Sequence, residues 1–160
     1  MKTSRLSVYL FSAVIFTGIA LSSINCMGTA STYGSGSDND NISDQPVWGP
    51  TGYDRADYYY IPDINSYYSV SERQYIYRDG SNWKHAAALP SIYSNHDPYH
   101  SYKVVINEDK PYQNNYSHQT KYGTFKGVKD QPVIRDSHDR KYFVNKNHPE
   151  HENWVKTQNR

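Results

Sequence analysis

Short tyrosine-rich runs separated by turn residues fill positions 56–90, and this pattern constrains the fold more than any other feature of the chain. Residues 57–61 and 64–70 are runs of tyrosine and β-branched residues, which favour strands. Residues 74–78 alternate strictly, so that Tyr75 and Tyr77 share one face of a predicted strand. Asp79-Gly80-Ser81 is a turn of the kind that closes hairpins, and another strand-like stretch, 82–89, follows it.

Two further segments extend this meander. Residues 102–106 include Val104-Val105-Ile106, a β-branched run that predicts another strand. From Pro111 to Tyr122 the spacing of Tyr112, Tyr116 and Gln119 has a helical period, with proline where a helix begins. The sequence therefore predicts an α+β, mostly β fold: a small antiparallel meander of three to five strands with one short helix and disordered flanks.

Composition divides the chain into four predicted parts. Residues 1–25 have a basic start, a mostly apolar run at 6–21 and a polar exit, which is the layout of a signal peptide; a retained anchor helix is the alternative, although about 20 apolar residues are needed to span a membrane. Residues 26–52 predict a flexible tether, because Gly, Ser, Asp and Asn dominate much of the segment. The tyrosine-rich β domain covers 53–127, and 128–160 predict a polar, mostly disordered tail.

The single cysteine lies where the predicted signal peptide ends. Ser23-Ile24-Asn25-Cys26 has the position of a lipoprotein cleavage box, which predicts a lipid on Cys26 and a membrane anchor. Ser23 and Asn25 depart from the usual residues of such a box. Ordinary cleavage after Gly28-Thr29-Ala30 is the alternative, and it would discard Cys26. Both alternatives predict export to the cell envelope, in the periplasm or at the outer membrane.

The tyrosine-rich segment also resembles a known group of proteins. These are uncharacterised small exported proteins and lipoproteins of Gram-negative bacteria with the layout YYYxPDxxxYY…QYxYxxGxxW…LP…YKVV. Ser101 departs from the pattern, which has glycine there. The resemblance covers roughly residues 53–127 and implies an exported location and a shared fold, but no functional residues. The matching residues are Tyr58, Tyr59, Tyr60, Pro62, Asp63, Tyr67, Tyr68, Gln74, Tyr75, Tyr77, Gly80, Trp83, Leu89, Pro90, Lys103, Val104 and Val105.

The high number of tyrosines is consistent with two roles, a structural one and a binding one. Fourteen of the 17 tyrosines lie in 53–127, where few Leu, Ile and Phe are available to build a core. Inward tyrosines would form that core, because each aromatic ring buries a large apolar area. Outward ones would form a binding platform, for which Tyr67, Tyr75 and Tyr77 are the candidates, with Tyr67 lying across from the other two. Rigid aromatic area of this kind binds proteins and sugars.

Histidine pairs and carboxylates give weaker candidates. His96 and His100, and separately His148 and His151, could supply imidazoles to a metal, although Pro98 and Pro149 interrupt any helix that would align each pair. Solvated polar residues are the simpler interpretation, and we expect no metal and no other cofactor. Asp57, Asp63, Glu72 and Asp79 could form a glycosidase-like pair, but aspartates are common at turns in any case.

The net charge and the lack of catalytic motifs limit the classes of function that the sequence favours. The whole chain has 17 basic and 16 acidic residues; without Lys2 and Arg5 it has 15 and 16, a net charge of −1. A basic face for nucleic acid is therefore not expected, and no nucleophile elbow or phosphate loop occurs. The first hypothesis is a non-enzymatic cell-envelope module with a structural or protein-interaction role. The alternatives are a glycan-binding module using a tyrosine face and a small hydrolase with a carboxylate pair.

Overall fold

A computed structural model describes residues 40–159, and their main element is a five-stranded antiparallel sheet. The strand order is β4-β3-β2-β1-β5, so that consecutive strands are neighbours except for β5, which returns to pair with β1. The α+β, mostly β prediction is confirmed. The strands are β1 (Tyr58–Ile61), β2 (Ser66–Ser69), β3 (Gln74–Asp79), β4 (Asn82–Ala86) and β5 (Val104–Ile106).

Helical segments follow the meander and lie between its strands. The α-helices are α1 (Asn115–Tyr122) and α2 (His151–Gln158). The predicted helix over 111–122 is therefore confirmed, with its first turn in the tighter 3-10 form. The 3-10 helices are Pro62–Ile64, Ser91–Tyr93, Pro111–Asn114, Gly123–Phe125, Ile134–Asp136 and Arg140–Val144.

The last two of the three hairpin turns of the meander have different lengths. Asp79 pairs with Asn82, which leaves Gly80 and Ser81 as a two-residue turn in which Gly80 has a φ of 60°. This left-handed conformation carries little strain in glycine, so the predicted Asp-Gly turn is confirmed. Between β2 and β3, Ser69 pairs with Gln74, and the connecting loop is therefore the four residues 70–73.

The pairing register gives the sheet two tyrosine-lined faces. Tyr59, Tyr68 and Tyr75 lie opposite one another on neighbouring strands and share one face, here called the seam face. Tyr60, Tyr67 and Ile76 lie opposite one another on the other face, here called the α1 face. Because adjacent strand residues point to opposite sides, consecutive tyrosines serve different cores. The fully buried tyrosines are Tyr59, Tyr60, Tyr67 and Tyr142.

Segments 40–52 and 131–148 are joined into what we call the terminal seam. Ile134 N–H donates to Gly49 O (2.9 Å), and Arg135 N–H donates to Val47 O (2.8 Å). The Asn145 amide donates to Gln45 O (2.6 Å) from a fully buried position. The seam has its own apolar cluster of Ile42, Ile134 and Tyr142, together with the half-buried Val47.

The packing of the terminal seam contradicts the predicted flexible tether and the predicted disordered tail. Residues 40–52 of the predicted tether are packed, and the predicted disordered tail supplies buried side chains, two 3-10 helices and α2. Each of the two segments has too few apolar residues to bury itself, but each covers the other and leaves few backbone groups unpaired. The predicted domain therefore does not end at 53 and 127. The predicted signal peptide, Cys26 and residues 26–39 lie outside the described residues.

Helix α1 packs on its face of the sheet through polar side chains as well as through Tyr122. Asn115 and His118 are buried and Tyr122 is half-buried against Tyr60, whereas Tyr116 is 85% exposed. The predicted helical period is confirmed, and the fully buried residues of the helix are polar. The tyrosines on the sheet below account for this, because their hydroxyl groups need hydrogen-bond partners when they are buried.

A buried hydrogen-bond network joins α1 to the sheet. The Asn115 amide donates to the Tyr67 hydroxyl (3.1 Å) and to Asn65 Oδ1 (2.8 Å). Since the Tyr67 oxygen accepts there, its own proton is available for His118 Nδ1, 2.9 Å away. His118 is then the neutral tautomer with its proton on Nε2, and that atom lies 4.0 Å from Glu108 Oε2.

We expect acid to destabilise this contact. Burial lowers the pKa of His118, an effect that Glu108 opposes and Lys121 reinforces. The unfolded chain therefore binds more protons than the folded chain once the pH falls below the ordinary histidine value of 6.5, and the free energy of unfolding decreases as the pH falls further. Urea unfolding at pH 7 and pH 5 measures the loss. A His118→Gln variant is expected to lose less over the same interval; an equal loss would contradict this assignment.

Candidate functional site: an aromatic ledge on the seam face

Five half-buried aromatic side chains lie along the seam face, and we call this group the aromatic ledge. Tyr68 comes from β2, Tyr75 and Tyr77 from β3, Trp48 from the terminal seam and Tyr93 from the 3-10 helix after β4. The prediction that Tyr75 and Tyr77 share a face agrees with the register, because they lie opposite Ala86 and Lys84 on β4. The members are Trp48, Tyr68, Tyr75, Tyr77 and Tyr93.

The backbone of the terminal seam holds Trp48 over the sheet. The residues on either side of it, Val47 and Gly49, accept hydrogen bonds from Arg135 and Ile134. Gly49 also lies against Tyr59, and a Cβ atom at this position would be 2.6 Å from the tyrosine hydroxyl oxygen. That hydroxyl donates to Gln45 Oε1 (2.9 Å), which fixes the ring. Only glycine permits this approach, so Trp48 is placed by close backbone packing.

The rings of the ledge support one another. Trp48 meets Tyr68 edge to face with centroids 4.8 Å apart, and Tyr68 meets Tyr75 in the same way at 5.0 Å. Trp48 and Tyr75 are nearly parallel, at 10° with centroids 6.3 Å apart. Further along β3, Tyr77 meets Tyr93 edge to face at 6.5 Å. These are favourable aromatic geometries, so the half-exposed rings are already ordered.

The ledge is electrically neutral, and charged side chains lie around it. Burial raises the pKa of Tyr75 to about 12 and raises the pKa of Tyr68 as well, so both phenols stay protonated at neutral pH. Arg73 at the end of the β2–β3 loop is exposed and forms an ion pair with Asp44 (3.3 Å). Lys84 is exposed opposite Tyr77. The surface is thus apolar and hydroxyl-bearing at its centre and charged at its edge.

Tyr67, the third predicted platform residue, does not belong to the ledge. It lies opposite Ile76 on the α1 face and is fully buried against Tyr60 and Trp83, with ring centroids 5.0 and 5.7 Å apart. Burial raises its pKa. Trp48, Tyr68 and Tyr93 were not among the predicted platform residues. The correct length of the β2–β3 loop would have placed Tyr68 opposite Tyr75 and so on the same face. Trp48 could not be found in this way, because it lies in a segment whose sequence has no strand or helix pattern.

The side chains of the candidate histidines His100, His148 and His151 face different partners. His148 is buried, its Nε2 facing Ser137 O (3.1 Å) and its Nδ1 accepting from Glu150 N–H (3.1 Å). His151 Nδ1 meets Phe143 O at 2.7 Å, and His100 Nδ1 meets Asp97 Oδ2 at 2.6 Å. Within residues 40–159 no three His, Cys, Asp or Glu side chains are grouped so that they could hold a metal ion.

Three of the four candidate carboxylates have separate partners. Asp57 pairs with Arg55 (3.0 Å), Asp63 with Lys129 (3.2 Å) and Glu72 with His85 (3.3 Å). Asp79 lies at the β3–β4 turn. Of these four, only Asp63 lines one of the two cavities that flank the loop 96–100. Asp57, Asp63 and Glu72 therefore contact basic side chains rather than one another.

The loop 96–103 contains the most unusual charge of the described chain. Lys103 is 1% exposed, and its ammonium group donates to Pro98 O (2.7 Å). Its backbone N–H and C=O both bond the Gln131 side chain, at 2.8 and 2.9 Å. Burial lowers the pKa of Lys103 to about 8, although Asp97 partly opposes this. A buried ammonium group costs stability, and such a cost is typical of functional regions.

Comparison with known proteins adds no family. No family model matches the chain, and no curated protein or solved structure resembles it significantly. Between residues 40 and 159, no helix is both long and apolar enough to cross a membrane. The resemblance to exported tyrosine-rich proteins, the signal peptide and the lipid anchor stay predictions from sequence.

Proposed function

We propose that the protein is a non-enzymatic module of the cell envelope that acts by binding a partner protein through the aromatic ledge. The single observation that carries the proposal is the group of half-exposed, mutually supported rings of Trp48, Tyr68 and Tyr75. Four other tyrosines are fully buried in the same small fold, so burial was attainable for rings of this type. Aromatic residues left in contact at a surface are typical of binding sites.

The order of the ledge favours tight binding. Association loses side-chain entropy, which is about 0.5–1.5 kcal/mol for each flexible side chain that becomes fixed. Rings that already pack on one another lose little. Exposed Ile92, next to Tyr93, extends the apolar area, and the exposed Arg73 and Lys84 supply a charged rim. An apolar aromatic centre with a charged rim is the usual composition of a protein interface.

The proposed location follows from the sequence. A signal peptide at 1–25 would export the chain, and a lipid on Cys26 would anchor it to a membrane. The ledge would then meet other envelope proteins, with envelope glycans as the second class of partner. No basic surface is proposed for nucleic acid.

Photo-cross-linking at the ledge tests the proposal. The photo-reactive residue p-benzoylphenylalanine replaces Tyr77 in the full chain, which is expressed in its own cells. We expect this variant to give a discrete adduct with an envelope protein. The same group in place of Tyr116 is the control, because Tyr116 is an exposed tyrosine that lies on α1 and outside the ledge. We expect no adduct there, and we expect Trp48→Ala to weaken the adduct formed at position 77. Identical adducts at both positions, or none at either, would contradict the ledge as a contact surface.

A further inference from the structure

A cavity of about 250 Å³ opens beside the end of the ledge. Tyr93 belongs to both, since it lines the cavity and meets Tyr77 edge to face. Ile64 and Ile92 form, with Tyr93, the apolar part of the cavity wall, and the remaining lining residues are polar. The volume is just below the usual range of about 300–1,000 Å³ for ligand pockets, which limits an occupant to about one ring. The polar lining residues are Asp63, Asn95, His96, Asp97 and Lys129.

Both carboxylates of the cavity are held in place and still have acceptor capacity. Asp63 accepts from Gly127 N–H (2.6 Å) and from Lys129 Nζ (3.2 Å). Asp97 accepts from Tyr99 N–H (2.9 Å) and faces His100 Nδ1 at 2.6 Å. A carboxylate has about four lone-pair positions, so each can accept further hydrogen bonds from a ligand without losing these anchors.

His96 gives an independent sign of a polar ligand. It lines the cavity, and its Nε2 is buried with no hydrogen-bond partner among the described residues. An unpaired buried polar atom destabilises the folded chain, and a ligand hydroxyl group brought within reach would supply the missing partner. Burial lowers the pKa of His96, so the imidazole is neutral at pH 7 and can either donate or accept.

The charges of the cavity select against an anionic ligand. Asp63 is paired with the Lys129 ammonium group and Asp97 faces His100, so that the lining has two carboxylates and one ammonium group. Lys129 and Asn95 have donors available, while Asp63, Asp97 and the neutral His96 can accept. Donors and acceptors that alternate around a small space, beside the ring of Tyr93, match a molecule with several hydroxyl groups and one apolar face.

We propose that this cavity is a binding site for a single neutral sugar ring, held by Asp63, His96 and Asp97 against Tyr93. The inference rests on the binding role proposed above, and it does not depend on which protein contacts the ledge. The sugar could be free or the end of a longer glycan, because both present the same ring to the cavity.

Titration of the full chain with sugars tests the site. The sugars are glucose, galactose and N-acetylglucosamine, with glucuronate as an anionic analogue. Binding is measured from chemical-shift changes in ¹H–¹⁵N spectra. We expect a neutral sugar to shift the amide signals of Gly127 and Tyr99, which donate to the two carboxylates, and glucuronate to bind more weakly. His96→Ala is expected to weaken binding about fivefold, which is the value of one hydrogen bond. His138→Ala, an exposed histidine outside the cavity, is the control and should bind normally.

The possible results of the titration distinguish sugar binding in the cavity from protein binding at the ledge. Lys129→Met, which changes an exposed side chain, is also expected to weaken binding, and it keeps the test decisive if His96→Ala does not fold. Absence of any shift at the highest soluble sugar concentration overturns the inference, while the cross-linking result at Tyr77 still stands. Shifts confined to the Trp48 indole would move sugar binding to the ledge and would likewise overturn the cavity site.

Discussion

Trp83→Ala should lower the free energy of unfolding by about 3 kcal/mol, near the low end of the range for large aromatic deletions because the side chain is only half-buried. The indole of Trp83 meets Tyr67 edge to face at 5.7 Å and lies 5.8 Å from the Tyr112 ring. The Arg78 guanidinium group lies over its other side at 4.5 Å. Removing the indole would therefore open the α1 face beside a fully buried tyrosine. With a slope of about 1.5 kcal/mol/M, the urea midpoint would fall by about 2 M.

A second tryptophan provides the matched control for that variant. Trp154 on α2 is also half-buried, but the only ring near it among the described residues is His151, at 6.0 Å. Trp154→Ala is expected to cost less than about 1 kcal/mol, as is common for surface changes. Equal urea midpoints for Trp83→Ala and the parent chain would show that the α1 face does not depend on this ring.

Lys103→Met should make the protein more stable at pH 7, by about 2 kcal/mol. The pKa of Lys103 falls from 10.5 to about 8 on folding, and one unit corresponds to about 1.4 kcal/mol, so the buried charge costs about 3 kcal/mol. Methionine keeps the length of the chain and its packing but loses the hydrogen bond to Pro98 O, which is worth about 1 kcal/mol. Thermal or urea unfolding of both chains at pH 7 measures the gain.

The pH dependence of this gain identifies its cause. Below pH 8 the lysine is protonated in both states, so its cost is fully present. Between pH 8 and 10.5 the folded chain releases the proton while the unfolded chain keeps it, and the parent chain gains stability relative to the variant. We therefore expect the advantage of Lys103→Met to shrink from pH 7.5 to pH 10. The difference between the two chains cancels the titration of the tyrosines. A constant advantage across this interval would exclude the buried charge as its origin.

The strands and turns of the meander were predictable because their signals are local. Alternation within 74–78 and the Asp79-Gly80 turn depend only on neighbouring residues, and β3 and β4 formed where they were predicted, although β4 ends at Ala86 and not at Leu89. The polar network under α1 was not predictable in this way. Asn115 counts against a helix by propensity, yet it is the residue that satisfies the buried Tyr67 hydroxyl, a contact between residues far apart in the sequence.

The error at Tyr67 came from a single residue in a turn. A three-residue turn at 71–73 would have paired Val70 with Gln74 and would have placed Tyr67 opposite Tyr77. The loop has four residues, Ser69 pairs with Gln74, and Tyr67 lies opposite Ile76. A one-residue change in register moves every side chain to the other face of the sheet. The sequence therefore predicted tyrosines on a shared face but assigned one of them to the wrong face.

The terminal seam also determines when the aromatic ledge can be completed during synthesis. Trp48 is held in the ledge by backbone hydrogen bonds that Ile134 and Arg135 donate to its two neighbours. The ribosome makes the chain from its N-terminus, so the strands of the meander can pair while these donors are still to be made. The indole reaches its position only after residue 135 has emerged. A nascent or C-terminally shortened chain can therefore contain a complete meander and still lack the finished ledge.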